Sequence, residues 1–212
     1  MAAVKSHRGR FITLEGVDGA GKSTHIPWIA ERLRAGGGTA GREVIVTREP
    51  GGTPLAEKLR AMVLAEAMDP VAETLLMFAA RADHVQKVIA PALARNAWVV
   101  CDRFTDATLA YQGGGKGVSL DLIRRLAQAA HPGLEPDQTL VFDCSYEVSR
   151  SRLSASGRSL DRFEAEERTF FDRVRAAYRK LAGAEPGRIT MIDASRSPEE
   201  VKVDINNSLV TN

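Results

Sequence analysis

The densest chemical signal lies near the N-terminus, in Gly16-Val17-Asp18-Gly19-Ala20-Gly21-Lys22-Ser23-Thr24. Glycine costs a helix or strand about 0.5–1 kcal/mol relative to alanine, so three in six residues stabilise neither. Gly16 to Ser23 fits G-x-x-x-x-G-K-[ST]. In that pattern the glycines let successive backbone N–H groups turn inward around a phosphate, the lysine reaches the outer phosphates, and the next hydroxyl ligates Mg²⁺. A helix starting there adds the positive end of its dipole. A glycine-rich turn can match by chance, and context decides. The strand-like run Phe11–Leu14 precedes the motif, and a helix-like run from Lys22 through Leu33 follows, with Ile26, Ile29, Ala30 and Leu33 at helical spacing. The motif implies nucleoside triphosphate binding; it does not yet give a reaction.

Other candidates are mostly arginines. Arg48 in "TREPGG" offers planar, bidentate contact to phosphate, with Pro50 and two glycines to turn the chain; an exposed arginine on an ordinary turn reads the same way. Asp102 ends the run "WVVCD" as a metal-ordering acid would, or as a helix cap would, and Arg103 follows at once. Arg150, Arg152, Arg158 and Arg162 crowd a stretch interrupted by Gly157 and serines, which suggests a flap at about 150–163 that delivers guanidinium groups to a transferring phosphoryl group. Asp193 and Ser195-Arg196 close the series. No triad or general base is evident. None is needed if the acceptor is a phosphate, whose second pKa of about 6 leaves it mostly ionised near pH 7.

These residues need a scaffold that gathers them. Short apolar runs recur at Phe11–Leu14, Val44–Val46, Ala97–Cys101, Thr139–Phe142 and Ile189–Ile192, with helix-like segments between them. Their nearly continuous apolar character predicts strands covered on both faces, hence an α/β fold with a five-stranded parallel sheet and right-handed crossovers. Ligands of such sheets sit at the carboxyl ends of the strands, where each candidate falls. The stretch Ala35–Gly41 reads as a flexible surface connection.

Length and composition bound the class. The 212 residues suit one α/β domain spanning 1–212, and 26% charged residues with a net charge of +2 indicate neither disorder nor nucleic-acid binding. Cys101 and Cys144 form no metal or disulfide pattern and fit buried thiols in a reducing compartment. The N-terminus has no signal-peptide core, and no run reaches the roughly 18 apolar residues of a membrane span. A soluble, cytoplasmic protein is expected.

In order and spacing, "GVDGAGKST", "TREPGGT", "LLMFAARADH", "DRF" with "AYQGGGKG", and "LDRFE" resemble the thymidylate kinase family from residue 10 to about 165. Beyond that the likeness is only one of pattern. The resemblance implies a P-loop NTPase-like three-layer fold that phosphorylates dTMP to dTDP with ATP and Mg²⁺ on the way to dTTP, in a homodimer. It implies that Gly16 to Thr24 cradle ATP, that Lys22 bridges the transferred group, that Ser23 and Asp102 hold Mg²⁺, and that Arg196 lies at the ATP site. Asp18 approaches the sugar hydroxyl of dTMP, Arg48 and Arg103 hold its phosphate, Arg81 donates to thymine O4, Gln112 meets the polar edge of the base, and Tyr111 crowds the 2′ position. Position 19 is glycine and the flap carries Arg150, Arg152 and Arg158, as in the largely bacterial form of the family, so these three are its candidate catalytic arginines. The family's aromatic that stacks on thymine falls at Met77 here, with Phe78 beside it; adjacent residues differ by about 100° on a helix, and Phe78 is the expected partner.

The alternatives are few. A GTPase switch needs an Asn-Lys-x-Asp motif, and no Asn-Lys pair occurs. A non-enzymatic nucleotide-binding module has no use for so many arginines. A kinase of dCMP or UMP is the nearer alternative, against which Arg81 and Tyr111 argue. The run Glu73–Leu93 carries Leu75, Leu76, Val85, Val88 and Ile89 on more than one face, more than one core needs, so part of it is expected to pack on a second copy.

Overall fold

The computed structural model describes residues 9–36, 41–155, 157, 161–164 and 166–209. Arg158 and the middle of the expected flap lie outside the described residues, as do residues 37–40 of the glycine-rich connection.

Five strands form one sheet: β1 (Phe11–Gly16), β2 (Val44–Arg48), β3 (Trp98–Asp102), β4 (Gln138–Asp143) and β5 (Ile189–Asp193). Their order is β2-β3-β1-β4-β5, and every pairing is parallel. The expected strands all form, but most run one or two residues further than their apolar cores. Arg48, Asp102, Asp143 and Asp193 are last residues of strands rather than the residues after them. Ladder hydrogen bonds cause this: Glu49 N donates to Asp102 O at 2.9 Å and Arg103 N to Leu14 O at 2.9 Å, so pairing continues where apolarity stops.

The helices are α1 (Lys22–Ala35), α2 (Pro54–Ala65), α3 (Pro70–His84), α4 (Ala90–Ala94), α5 (Thr105–Thr108), α6 (Leu120–Ala130), α7 (Tyr146–Ala155), α8 (Arg168–Ala184) and α9 (Pro198–Ser208). A π-helical turn over Val85–Ile89 joins α3 to α4, and another over Leu109–Gly115 follows α5. Alternate β3 residues face opposite layers. Trp98 and Val100 join a core with Ile26, Ile29, Val174 and Val201, while Val99 and Cys101 join Phe11, Ile89 and Leu93. The inner strands β1, β3 and β4 are thus buried on both sides, which is why alternation was missing from their sequences, whereas the edge strands β2 and β5 are only partly covered. Cys101 and Cys144 are buried free thiols. Of the run expected to meet a second copy, Val85 and Ile89 are buried in the core, whereas Leu75 is 48% exposed, and Leu55, Met62 and Val71 of α2 and α3 are exposed as well. No helix among the described residues is long and apolar enough to cross a membrane.

Since β1 lies between β3 and β4, the chain passes to one side of β1 and later to the other, and a crevice opens at the carboxyl ends of β1 and β3. Gly16 opens it: its φ is +123°, and any Cβ would lie 2.2 Å from Phe142 O.

Buried polar groups lock the sheet's interior. Thr13 and Thr139 share a hydroxyl–hydroxyl bond of 2.8 Å. Asp106 accepts from Thr139 Oγ1 at 3.1 Å and from Arg188 at 2.7 and 3.0 Å. Asp106 is 3% exposed, so removing its cation strands a buried anion. Arg188→Met should lower unfolding free energy by about 3–5 kcal/mol, read as a drop in the urea midpoint without a change in m-value.

Candidate active site

The crevice widens into a cleft of about 670 Å³ above the glycine loop. Gly21, in the left-handed region at φ 92°, caps α1 and aims its first N–H groups there. Asp18, Gly19, Ala20, Gly21, Lys22, Ser23 and Thr24 line the cleft, with Gly16 and Val17 beneath as the exit of β1. Lys22 Nζ donates to Gly16 O at 3.2 Å and Val17 O at 3.1 Å. Burial, then the nearby Arg103 charge, pull its pKa below the usual lysine range. Asp102 Oδ1 is buried with no hydrogen-bond partner, facing the cleft that Ser23 also lines. A carboxylate and a hydroxyl suit a hard divalent cation with oxygen ligands, so the residues present fit Mg²⁺.

Arg103 crosses the junction. Its backbone is left-handed (φ 72°), a conformation a non-glycine residue adopts at a cost. Its guanidinium donates to Asp18 Oδ1 at 2.6 Å, Tyr111 Oη at 2.9 Å and Tyr178 Oη at 3.3 Å. Tyr111 Oη in turn donates to Asp18 Oδ2 at 2.9 Å. Burial raises the pKa of Asp18, but Arg103, Lys22 and the Tyr111 hydroxyl outweigh it and hold the carboxyl at about 2. Behind this group Glu15 accepts from Phe104 N at 2.7 Å and Tyr178 Oη at 2.7 Å; burial, then the charge of Asp106, push its pKa up to about 7.

The other arginines divide. Arg48 lines the cleft with its guanidinium held by Glu57 at 2.9 and 3.0 Å. Arg152 lines it too, donating to Ala194 O at 2.8 Å and Ala20 O at 3.4 Å, and Arg196 lies at its rim paired with Asp204. Arg150 is not there: it points to Glu164 O at 2.7 Å beside Tyr146, because α7 turns it away from the side Arg152 takes. Asp143 is tied to Arg175 and Arg179 of α8. Asp193 folds onto Ser195, accepting from its N at 3.1 Å. Sequence reasoning missed Arg60, which lines the cleft from α2 and donates to Pro50 O at 3.0 Å. It sits in a helix with no motif to mark it.

Beyond Arg103 a second, narrower pocket of about 80 Å³ is lined by Met77, Arg81, Phe104, Tyr111, Gln112 and Phe163. Arg81 is 3% exposed. Its Nε donates to Glu49 Oε2 at 2.6 Å, and one terminal nitrogen donates to Phe104 O and Thr108 Oγ1 at 3.1 Å each; the other, NH1, is buried without a partner. Glu49 is clamped from behind by His84 Nδ1 at 2.8 Å, and burial of its carboxylate is outweighed by Arg81 and His84, which hold its pKa down. The expectation for Phe78 needs correction. Phe78 does not line the pocket. It packs with Val118 and Ile123, stacks on His131 at 6.4 Å and backs the Arg81 guanidinium at 4.7 Å, while one residue earlier on α3 Met77 takes the pocket side. The helical rotation that separates the two residues resolves against the aromatic one.

A phosphate loop after β1, an acid ending β3 and a second pocket beside them, on this sheet order, define a P-loop NTPase-type phosphotransferase. The thymidylate kinase family model matches residues 14–205. A thymidylate kinase of Bordetella petrii is 57% identical over 202 residues, covering 95% of both chains, and one of Ralstonia nicotianae is 52% identical over 203 residues, covering 96% of this chain and 98% of its own. The crystal structure of thymidylate kinase from Ehrlichia chaffeensis superposes with a TM-score of 0.76 at 32% identity, over 95% of this chain and 99% of that one. The chain belongs to the thymidylate kinase family.

Asp18 yields a pH prediction. A carboxyl held at about 2 in the fold contributes stability above its unfolded pKa and loses it as pH falls from about 4 toward 2. Asp18→Asn should therefore be less stable than the parent by about 2 kcal/mol at pH 7, with the difference closing as pH approaches 2. Urea midpoints across that range would measure it.

Proposed function

We infer that the protein transfers the γ-phosphoryl group of ATP to dTMP. The observation that carries the base assignment is the buried, unpartnered Arg81 NH1 in the narrow pocket. A guanidinium donates and cannot accept, so it suits thymine O4 and repels the cytosine amino group. Met77 and Phe104 would give the base its apolar walls, and Tyr111, which lines the same pocket, would crowd a 2′-hydroxyl.

Asp18 and Arg103 separate the two pockets, so the acceptor's sugar and phosphate meet the donor there. In this reading Asp18 accepts from the sugar hydroxyl, while Arg103 and Arg48 hold the acceptor phosphate. Arg60, the missed neighbour, shares that phosphate. The glycine loop cradles the donor phosphates, and Lys22 follows the transferred group. Arg152 approaches the same group from the other wall. Arg196 sits at the nucleoside end of ATP. Arg158 keeps its expected role at the transferred group, and Arg150 supports the flap rather than the reaction. Ser23 and Asp102 would hold Mg²⁺, which when bound neutralises donor phosphate charge. The acceptor phosphate is already ionised, so catalysis reduces to alignment and charge neutralisation. The chain from 1 to 212 acts as one kinase domain. It pairs as a homodimer through the exposed apolar side of α2 and α3, at Leu55, Met62, Val71 and Leu75.

Turnover of a panel of monophosphates with ATP and Mg²⁺ tests the activity. kcat/KM should fall in the order dTMP, dUMP, then UMP and dCMP far behind. dUMP loses one methyl contact, about 1 kcal/mol. Arg81→Ala should cut dTMP use severely and narrow the gap to dCMP; equal use of dCMP or UMP by the parent protein would refute the assignment.

For assembly, light scattering at micromolar concentration should give about twice the 23.0 kDa chain mass. Leu75→Glu should shift that mass toward the monomer, and a wholly monomeric parent would contradict the dimer.

A further inference from the structure

One buried carboxylate has no part in phosphoryl transfer. Glu73, in the first turn of α3, has no exposed surface. Its Oε1 accepts from Gln112 Nε2 at 2.8 Å, and its Oε2 accepts from Lys116 Nζ at 2.8 Å and from Arg162. Burial disfavours its ionised form, but hydrogen bonds from Lys116, Gln112 and Arg162 prevail and hold its pKa below the usual range. An ionised carboxylate offers acceptors only, so the end of the Gln112 amide that meets it is the NH₂ group, whichever way the amide is drawn. The carbonyl is then the opposite end. Gln112 is 1% exposed and its backbone O is bonded to Val118 N at 2.9 Å, so the residue stays in place at the wall of the base pocket.

We propose that Glu73 is a positioning residue that fixes Gln112 as a hydrogen-bond acceptor toward the base, so that Gln112 and Arg81 together read a donor beside an acceptor. This rests on the reading of the narrow pocket as the base site. Thymine and uracil present that pair as N3–H and O4. Cytosine presents the reverse, an acceptor at N3 and an amino donor at C4, and meets like with like at both points. Lys116 and Arg162 are what keep Glu73 charged: each stands over the Phe163 ring at 4.7 Å and turns its charge to the carboxylate.

Glu73→Gln tests this sharply. Two cations would draw the new side chain's carbonyl, leaving its NH₂ facing Gln112. Gln112 would then turn over and present its own NH₂ to the base, which suits cytosine N3. Steady-state kcat and KM for dTMP and dCMP, at saturating ATP, would be measured for the parent, Glu73→Gln, Gln112→Ala and the double variant. Glu73→Gln should narrow the dTMP to dCMP ratio of kcat/KM at least about tenfold, mainly by raising KM for dTMP, since a reversed hydrogen bond in a closed site discriminates strongly. The double variant should match Gln112→Ala in that ratio, because Glu73 acts through the amide. An unchanged ratio in Glu73→Gln, or effects that multiply in the double variant, would overturn the proposal. The charge-balanced Glu73→Gln, Arg162→Met protein leaves the cluster's net charge as it was, guards against misfolding and should show the same narrowing; a folded protein of this kind with the parent ratio would overturn it equally. A parent that uses dCMP as well as dTMP would overturn the base-site reading itself. A selective parent with an equally selective Glu73→Gln would overturn only the role of Glu73.

Discussion

The site is built around one mostly buried cation, the Arg103 guanidinium. Its residue sits at the point where β1 and β3 part, with its backbone N on Leu14 O and its φ in the left-handed region. A buried charge without partners would be prohibitive, and here three elements converge to supply them: Asp18 from the glycine loop, Tyr111 from the π-helical turn after α5, and Tyr178 from α8. Glu15 then fastens Tyr178 and the start of α5 from below. The strained backbone is stable because so many neighbours determine it at once, which is how such strain persists at functional sites. Both pockets take their shared wall from this arrangement.

Three other arginines also rest on carboxylates. Arg48 rests on Glu57, Arg81 on Glu49 and Arg196 on Asp204. Guanidinium groups gathered around one cleft repel each other: burial, then Arg48, lower the pKa of Arg60. Local carboxylates hold that repulsion down when no nucleotide is bound. An incoming phosphate then has two kinds of arginine to meet. In the proposed reading Arg48, about half exposed, exchanges its carboxylate for a phosphate, whereas Arg81, which is buried, and Arg103, which is mostly so, keep theirs.

Much of this was readable from residue types. The glycine loop was legible because its spacing lies between a strand-like run and a helix-like run, the context a phosphate loop requires. The inner strands β1, β3 and β4 were visible since burial on both faces makes them continuously apolar, and the partly covered edge strands β2 and β5 showed through their short β-branched runs. What stayed hidden needed the third dimension. Arg60 lies in a helix whose sequence resembles any amphipathic surface. Met77 and Phe78 differ by one step of helical rotation, and only the packing of Phe78 against Val118, Ile123 and His131 decides between them. Arg150 and Arg152 lie two apart on one helix, and α7 sends only Arg152 to the cleft.

The contrast between the pockets explains how one site is both selective and adaptable. The base pocket is small, and its polar groups are held by partners outside it: Arg81 by Glu49, Phe104 O and Thr108, Glu49 by His84, and Gln112 by Glu73. In the proposed reading, a ligand that lacks the matching donor or acceptor would have to break a second layer of bonds before these groups yielded, so mismatch would be costly. The phosphate cleft is about 670 Å³ and lined by side chains that share charge among several partners. In the proposed reading it takes a group whose charge and position change during reaction, and a rigid complement to either end state would slow the passage between them. On that reading the polar groups that meet the base are each tied to partners behind them, the phosphoryl group meets side chains that can exchange partners, and Arg103 lines both pockets at the boundary.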